Sequence, residues 1–221
     1  MNSEVTKGII YRIIKYSDRS AICFGFTEQR GRLKFFVSNA FGKNRTIQKI
    51  FPAEITYIYK DNTDLHKITA IEYLTGYSFF QTETPLYLRL NLIFEIIEDL
   101  FPLGSNLDEL WRYLMGLNRE NYIKGVAYIL FYILETAGII SRGECIFCGM
   151  EMEKYSFICE RCEDLNVDDE LKRFVKAFED RGSFRKLLMK DDSYVINLLS
   201  DILKKHQIFP KSLELIKYLN I

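Results

Sequence analysis

Four of the five cysteines fall within eighteen residues, "CIFCGMEMEKYSFICERC", positions 145 to 162. They form two Cys-x-x-Cys pairs, Cys145/Cys148 and Cys159/Cys162, with ten residues between the pairs. A Cys-x-x-Cys turn aims two sulfurs at one point, and two such turns supply the four thiolates of a tetrahedral metal site. Zinc suits this ligand set better than an iron–sulfur cluster. Disulfides are disfavoured because "MNSEVTKGIIYRIIKYSDRS" has neither the apolar run nor the cleavage site of a secretory signal. A redox Cys-x-x-Cys would need a βαβ setting that the sequence lacks. Four sulfurs leave no coordination position for water, so the metal is expected to be structural, one ion per chain. Gly149 is placed to make the left-handed turn after the second cysteine. The fifth thiol, Cys23 in "AICFGF", reads as a small buried apolar residue.

A second cluster with chemical meaning lies at residues 28 to 50, "EQRGRLKFFVSNAFGKNRTIQKI". Arg30, Arg32, Lys34, Lys43, Arg45 and Lys49 stand there against one acid, Glu28, with Phe35, Phe36 and Phe41 interleaved. Cations that follow a phosphate chain, with aromatic faces for bases, are what single-stranded nucleic acid requires. Catalytic signatures are missing. There is no Walker A loop, no Gly-x-Gly-x-x-Gly run, no Gly-x-Ser-x-Gly elbow and no His-Glu-x-x-His. Neither histidine, His66 or His206, is followed two residues on by the glutamate of a zinc deaminase. The expected protein is a binder and not an enzyme.

These residues must be positioned by two kinds of structure. Up to about residue 78 the chain reads as short strands, "GIIYRIIKY", "SAICFGFTE", "RLKFFVSNA", "TIQKIFPAEITYIYK" and "DLHKITAIEYL", parted by polar breaks. Five strands in so short a span predict a small closed barrel of OB type, with a tight hairpin at Gly31. From about residue 83 the apolar period becomes helical: Leu86, Leu90, Ile93, Ile97 and Leu100 share a face. Thr84 and Pro85 start that helix, and Ser105 or Asn106 caps the next. "NRENYIKGVAYILFYILETAG" predicts a central buried helix ending near Gly138. Its apolar run is short for a bilayer and carries Glu135, so it is not read as a membrane span. Three amphipathic helices follow the cysteines. The prediction is an α+β protein: a barrel over 1–78, then a helical domain over 79–221 with a zinc knuckle inserted at 143–164. Residues 1–78 carry twelve Lys and Arg against seven Asp and Glu, whereas the remainder carries eighteen against twenty-three. The charge split supports two parts with different work, and the absence of a signal or anchor points to the cytoplasm.

With these pieces in order, the sequence resembles the bacterial RecO family of recombination mediators. The carriers are "GIIYRIIKYSDRSAICFGFTEQRGRLKFFVSNA", the basic "GKNR", "IQKIFPAEITYIY", "ITAIEYL", and a helical segment interrupted by "CIFCG" and "ICERC". The resemblance runs over nearly the whole chain. It implies an OB barrel and a helical domain holding one zinc on Cys145, Cys148, Cys159 and Cys162. It further implies binding of single- and double-stranded DNA, annealing of complementary strands, and loading of the RecA recombinase together with RecR on strands coated by the single-strand binding protein SSB. Lys43 and Arg45 match a basic loop of that family. The SSB tail is acidic and aromatic-ended, so its receptor should pair an apolar pocket with cations, for which Arg112, Arg119 and Lys124 are candidates. The alternative is a zinc-stabilised nucleic-acid-binding regulator of transcription or translation.

Overall fold

The computed structural model describes residues 2–41, 47–107, 109–164, 168–180, 184, 186, 187, 189 and 191–219. The chain divides into two compact units, Met1–Gly116 and Leu117–Ile221.

The first unit is built on five strands: β1 (Asn2–Lys15), β2 (Ala21–Thr27), β3 (Gly31–Val37), β4 (Pro52–Tyr59) and β5 (Leu65–Tyr73). They close into a barrel in the order β1-β2-β3-β5-β4, with β3 and β5 parallel and the other pairs antiparallel. This is the OB-type barrel expected from the sequence. Closure depends on the length of β1, whose first half pairs with β4 and whose second half pairs with β2. An irregularity at Tyr11 turns the strand between the two partners. Period-two alternation then sorts the side chains. Cys23, Phe35, Ile55 and Tyr57 fill the interior, while their neighbours Phe24, Phe36, Thr56 and Ile58 point outward.

Helices α1 (Phe79–Thr82), α2 (Thr84–Leu100) and α3 (Leu110–Met115) belong to this same unit. Residue 78 therefore marks the change from strand to helix, whereas the compact unit runs on to Gly116. Side-chain and main-chain contacts explain why. Phe94 on α2 stacks on Tyr11, with centroids 5.0 Å apart. Arg12 pairs with Glu98 on α2 at 2.7 Å. The segment after α2 joins the edge of β3: Arg32 N donates to Ser105 O at 3.2 Å, and Gly104 N donates to Arg32 O at 2.8 Å. Gly31 makes that approach possible. Its φ is +59°, and a Cβ there would lie 1.8 Å from Ser105 O. Ser105 is thus used in the seam and does not cap a helix; α3 starts only at Leu110.

In the second unit α4 (Tyr122–Thr136) is central, with eight buried side chains. Around it lie α5 (Glu160–Asp164), α6 (Asp169–Glu179), α7 (Ser193–Lys205) and α8 (Lys211–Leu219). Asp168 caps α6 by accepting from Glu170 N and Leu171 N at 2.8 and 3.2 Å. The core is aromatic: Phe131 meets Phe174 at 4.9 Å, and Tyr128 meets Phe178 at 5.0 Å. Among the described residues no helix is long and apolar enough to cross a membrane.

Candidate metal centre and nucleic-acid interface

The sequence between α4 and α6 brings the four cysteines to one point. Cys145 N donates to Met150 O at 2.9 Å and Gly149 N to Cys145 O at 2.7 Å, which closes the first turn. Gly149 takes φ +71°, as its position after Cys148 requires. The second pair straddles the first turn of α5: Glu163 N donates to Cys159 O at 3.0 Å, and Cys162 N to Cys159 Sγ at 3.4 Å. The four Sγ atoms lie within 4.8 Å of one another, and Cys148 and Cys159 approach to 3.7 Å. Sulfurs at tetrahedral corners around a first-row ion would be separated by about 3.8 Å. The cluster can therefore hold one metal ion.

Its electrostatics point the same way. Burial pushes the Cys162 thiol up, and the neighbouring sulfurs push it further. Burial also opposes ionisation of Cys145, but main-chain donors from Cys159, Cys148 and Phe147 outweigh it and bring that thiol down to about 7. Four sulfurs so close cannot all ionise without a cation between them. Cys145, Cys159 and Cys162 are buried and Cys148 is exposed.

The segment is fastened to the helices. Glu179 at the end of α6 accepts from Phe157 N at 2.6 Å and from Ser156 Oγ at 2.7 Å. Lys172 donates to Glu163 O at 2.6 Å, and Lys176 pairs with the Glu163 carboxylate. Arg142 pairs with Glu135 at 2.9 Å and lies over the Tyr155 and Phe157 rings. Beside Cys145, a cavity of about 80 Å³ has a mixed lining, with Ile139, Ile140, Ile146 and Ile202 alongside Ser141, Glu144, Lys205 and His206.

The basic cluster separates into unlike roles. Arg32, expected to meet nucleic acid, is only 4% exposed. It donates to Tyr11 Oη at 3.2 Å, to Glu98 O at 3.3 Å and to Phe101 O. That corrects the expectation: this cation ties β3 to the end of α2 and does not face a ligand. Arg30 forms a bidentate pair with Glu4, at 2.9 and 2.7 Å, and lies 3.9 Å from the Tyr59 ring centroid. Its charge is matched within the barrel. Lys49 sits in the turn before β4, where its carbonyl accepts from Gln81 Nε2 at 2.7 Å. Lys43 and Arg45 lie outside the described residues. Of the expected set, Lys34 stands on the outer face of the sheet.

Register shows what surrounds Lys34. On the outer face of β1, β2 and β3, Arg12 lies opposite Phe24 and Phe24 opposite Lys34. One step along, Ile14 lies opposite Ile22, Ile22 opposite Phe36, and Phe36 opposite Lys67 of β5. The Arg12 and Lys34 cations sit 5.2 and 5.8 Å from the Phe24 centroid. Tyr16, just past β1, meets Phe36 edge to face at 6.0 Å. The other half of this face, with Tyr11, Phe26 and Arg32, is buried where α2 packs. Arg12, Tyr16, Phe24 and Lys67 were not singled out from the sequence. The signal was there in the alternation Arg12/Ile14/Tyr16, Ile22/Phe24 and Lys34/Phe36, but it became readable only with the strand pairing.

The expected partner cations do not form one site within a unit. Arg112 belongs to the barrel unit, where it pairs with Glu109 at 2.8 Å. Arg119 is exposed in the turn before α4, and Lys124 on α4 donates to Leu187 O at 3.1 Å.

No family model matches this chain, and no curated protein matches it.

Proposed function

We propose that this chain binds polynucleotides through the open half of its barrel and works as a recombination mediator of the RecO kind. One observation carries the reading: an OB-type barrel whose outer face is covered by α2 on one half, where Arg12 pairs with Glu98, and on the other carries Phe24, Lys34, Phe36 and, from β5, Lys67. Lysines and arginines on such a face neutralise phosphates and release counterions, which gives tight, sequence-tolerant, salt-sensitive binding. Holding two strands against one cationic surface lowers their mutual repulsion and favours annealing. The work is arrangement, with no bond made or broken.

The ion in the cysteine cluster is zinc in this reading, because four sulfurs close its shell and no redox partner is required. Cys145, Cys148, Cys159 and Cys162 would hold it, and its contribution is to brace α5 against α6. A thiolate site of this kind suits a reducing compartment, so we place the protein in the cytoplasm. RecR, SSB and RecA are the proposed partners.

The test is annealing of complementary oligonucleotides, bare and SSB-coated, followed by energy transfer between end labels. The Lys34→Ala/Lys67→Ala double variant should anneal markedly more slowly than wild type at low salt. Equal rates would remove this face from the activity. A strong preference for one duplex sequence or for RNA in parallel filter binding would favour a regulator instead.

A further inference from the structure

The open half of the barrel face carries more apolar ring surface than phosphate contact needs. Tyr16 is 69% exposed and Ile14 is 40% exposed, next to the half-buried Phe36. Neutralising a phosphate chain calls only for cations. The Tyr16 and Phe36 rings suit a partner with flat apolar faces, and Lys34 and Lys67 on the same face favour an anionic one, whereas Arg12 is already paired with Glu98. A single-stranded nucleic acid meets both requirements, because its bases are unstacked and free to lie on aromatic side chains. A duplex has its base faces buried in its own stack and offers only phosphates to this surface.

We propose that Tyr16 and Phe36 form a stacking platform for unpaired bases, and that this platform gives the barrel a preference for single strands over duplex. The proposal rests on the polynucleotide reading above and adds to it the residues that set strand selectivity. The geometry separates the two kinds of contact. Phe24 already lies within reach of the Arg12 and Lys34 cations, so its ring is engaged by side chains of the barrel. Phe36 and Tyr16 touch each other edge to face, which leaves ring surface for a base. Phe24 and Phe36 occupy diagonal positions on neighbouring strands, a spacing of about 7 Å that parts the cation-seating ring from the base-stacking ring. The main chain that carries Tyr16 is ordered before any ligand arrives. Tyr16 N and Ser17 N both donate to Ser20 O, at 2.9 and 3.1 Å, so the turn carrying Tyr16 is closed by hydrogen bonds. An ordered main chain at Tyr16 lowers the cost of presenting its exposed ring to a ligand.

The experiment measures fluorescence anisotropy of the full chain at low salt with three labelled probes: oligo-dT, an abasic strand of the same length, and a hairpin duplex. Wild type should bind oligo-dT more tightly than either other probe. Tyr16→Ala and Phe36→Ala should each weaken oligo-dT binding by roughly 5- to 50-fold and leave the abasic strand unchanged. Phe36→Tyr should retain oligo-dT affinity, whereas Phe36→Leu, which keeps the apolar bulk, should not. This pair decides the matter if an alanine variant fails to fold. Equal binding of oligo-dT and abasic strand by wild type, or wild-type affinity in Phe36→Leu, overturns the stacking platform while leaving phosphate binding intact. If wild type binds none of the three probes, the polynucleotide reading falls and the platform falls with it, leaving the patch as a surface for a protein.

Discussion

Three basic residues in a five-residue stretch have three different fates. Arg30 is neutralised by Glu4, Arg32 is buried against carbonyls, and Lys34 stands outside beside Phe24. Substitutions should tell them apart. Arg32→Ala strands the Phe101 carbonyl that Arg32 now satisfies and should cost about 3 kcal/mol, read as a lower urea midpoint. Lys34→Ala should change stability by less than about 0.5 kcal/mol and weaken strand binding instead. The composition of this stretch was legible in the sequence, but the division of labour was not. Charge density does not reveal which cation a helix will cover, and α2 covers Arg32. Glu4 and His66 add a pH dependence. Arg30, hydrogen-bonded to Glu4, holds its carboxyl below the usual range despite some burial. Burial, with Arg30 nearby, likewise lowers the His66 imidazolium value. In both cases the unfolded chain takes up a proton that the folded chain resists. Stability from both groups is present at neutral pH. The His66 part is lost as pH falls below about 6.5, and the Glu4 part as it falls through the ordinary carboxylate range. Thermal melts of the barrel signal should fall in two stages on acidification, and Glu4→Gln should remove the lower stage.

At the scale of elements, the cysteine segment is a small structure of its own, stitched to α6 at two places. Glu179 holds the loop before Cys159, while Lys172 and Lys176 hold the end of α5. Metal binding and the docking of these helices should therefore be coupled. Elemental analysis should find one metal per chain. Removing it with a chelator should speed amide exchange in residues 143–164 and in α6, and leave the five strands protected. Equal acceleration in the barrel would contradict this. The cysteine pattern was the most legible part of the sequence, because Cys-x-x-Cys spacing fixes the turn geometry directly. The strands and the long helices were legible from their periods. The role of Ser105 was not, since a serine ahead of a helical pattern looks like a cap, and here long-range pairing with β3 overrode that local preference.

At the scale of the whole molecule, net charge is zero, so the proposed affinity for polynucleotides would come from a local surface and not from an overall field. Binding should accordingly fall steeply with salt. The slope of log affinity against log salt should shrink by about one for each of Lys34 and Lys67 replaced by alanine, and by less for Arg12, whose charge Glu98 already balances. An unchanged slope in all three variants would place the phosphates elsewhere.

The seam between Gly31 and Ser105 reaches beyond this one chain. With a carbonyl oxygen where a methyl group would go, no other amino acid can occupy position 31 while the seam stays shut. A relative that keeps this seam must also keep this glycine. A glycine at the second hairpin tip, followed much later by paired thiol doublets, would make a fingerprint for finding distant kin after overall identity has faded.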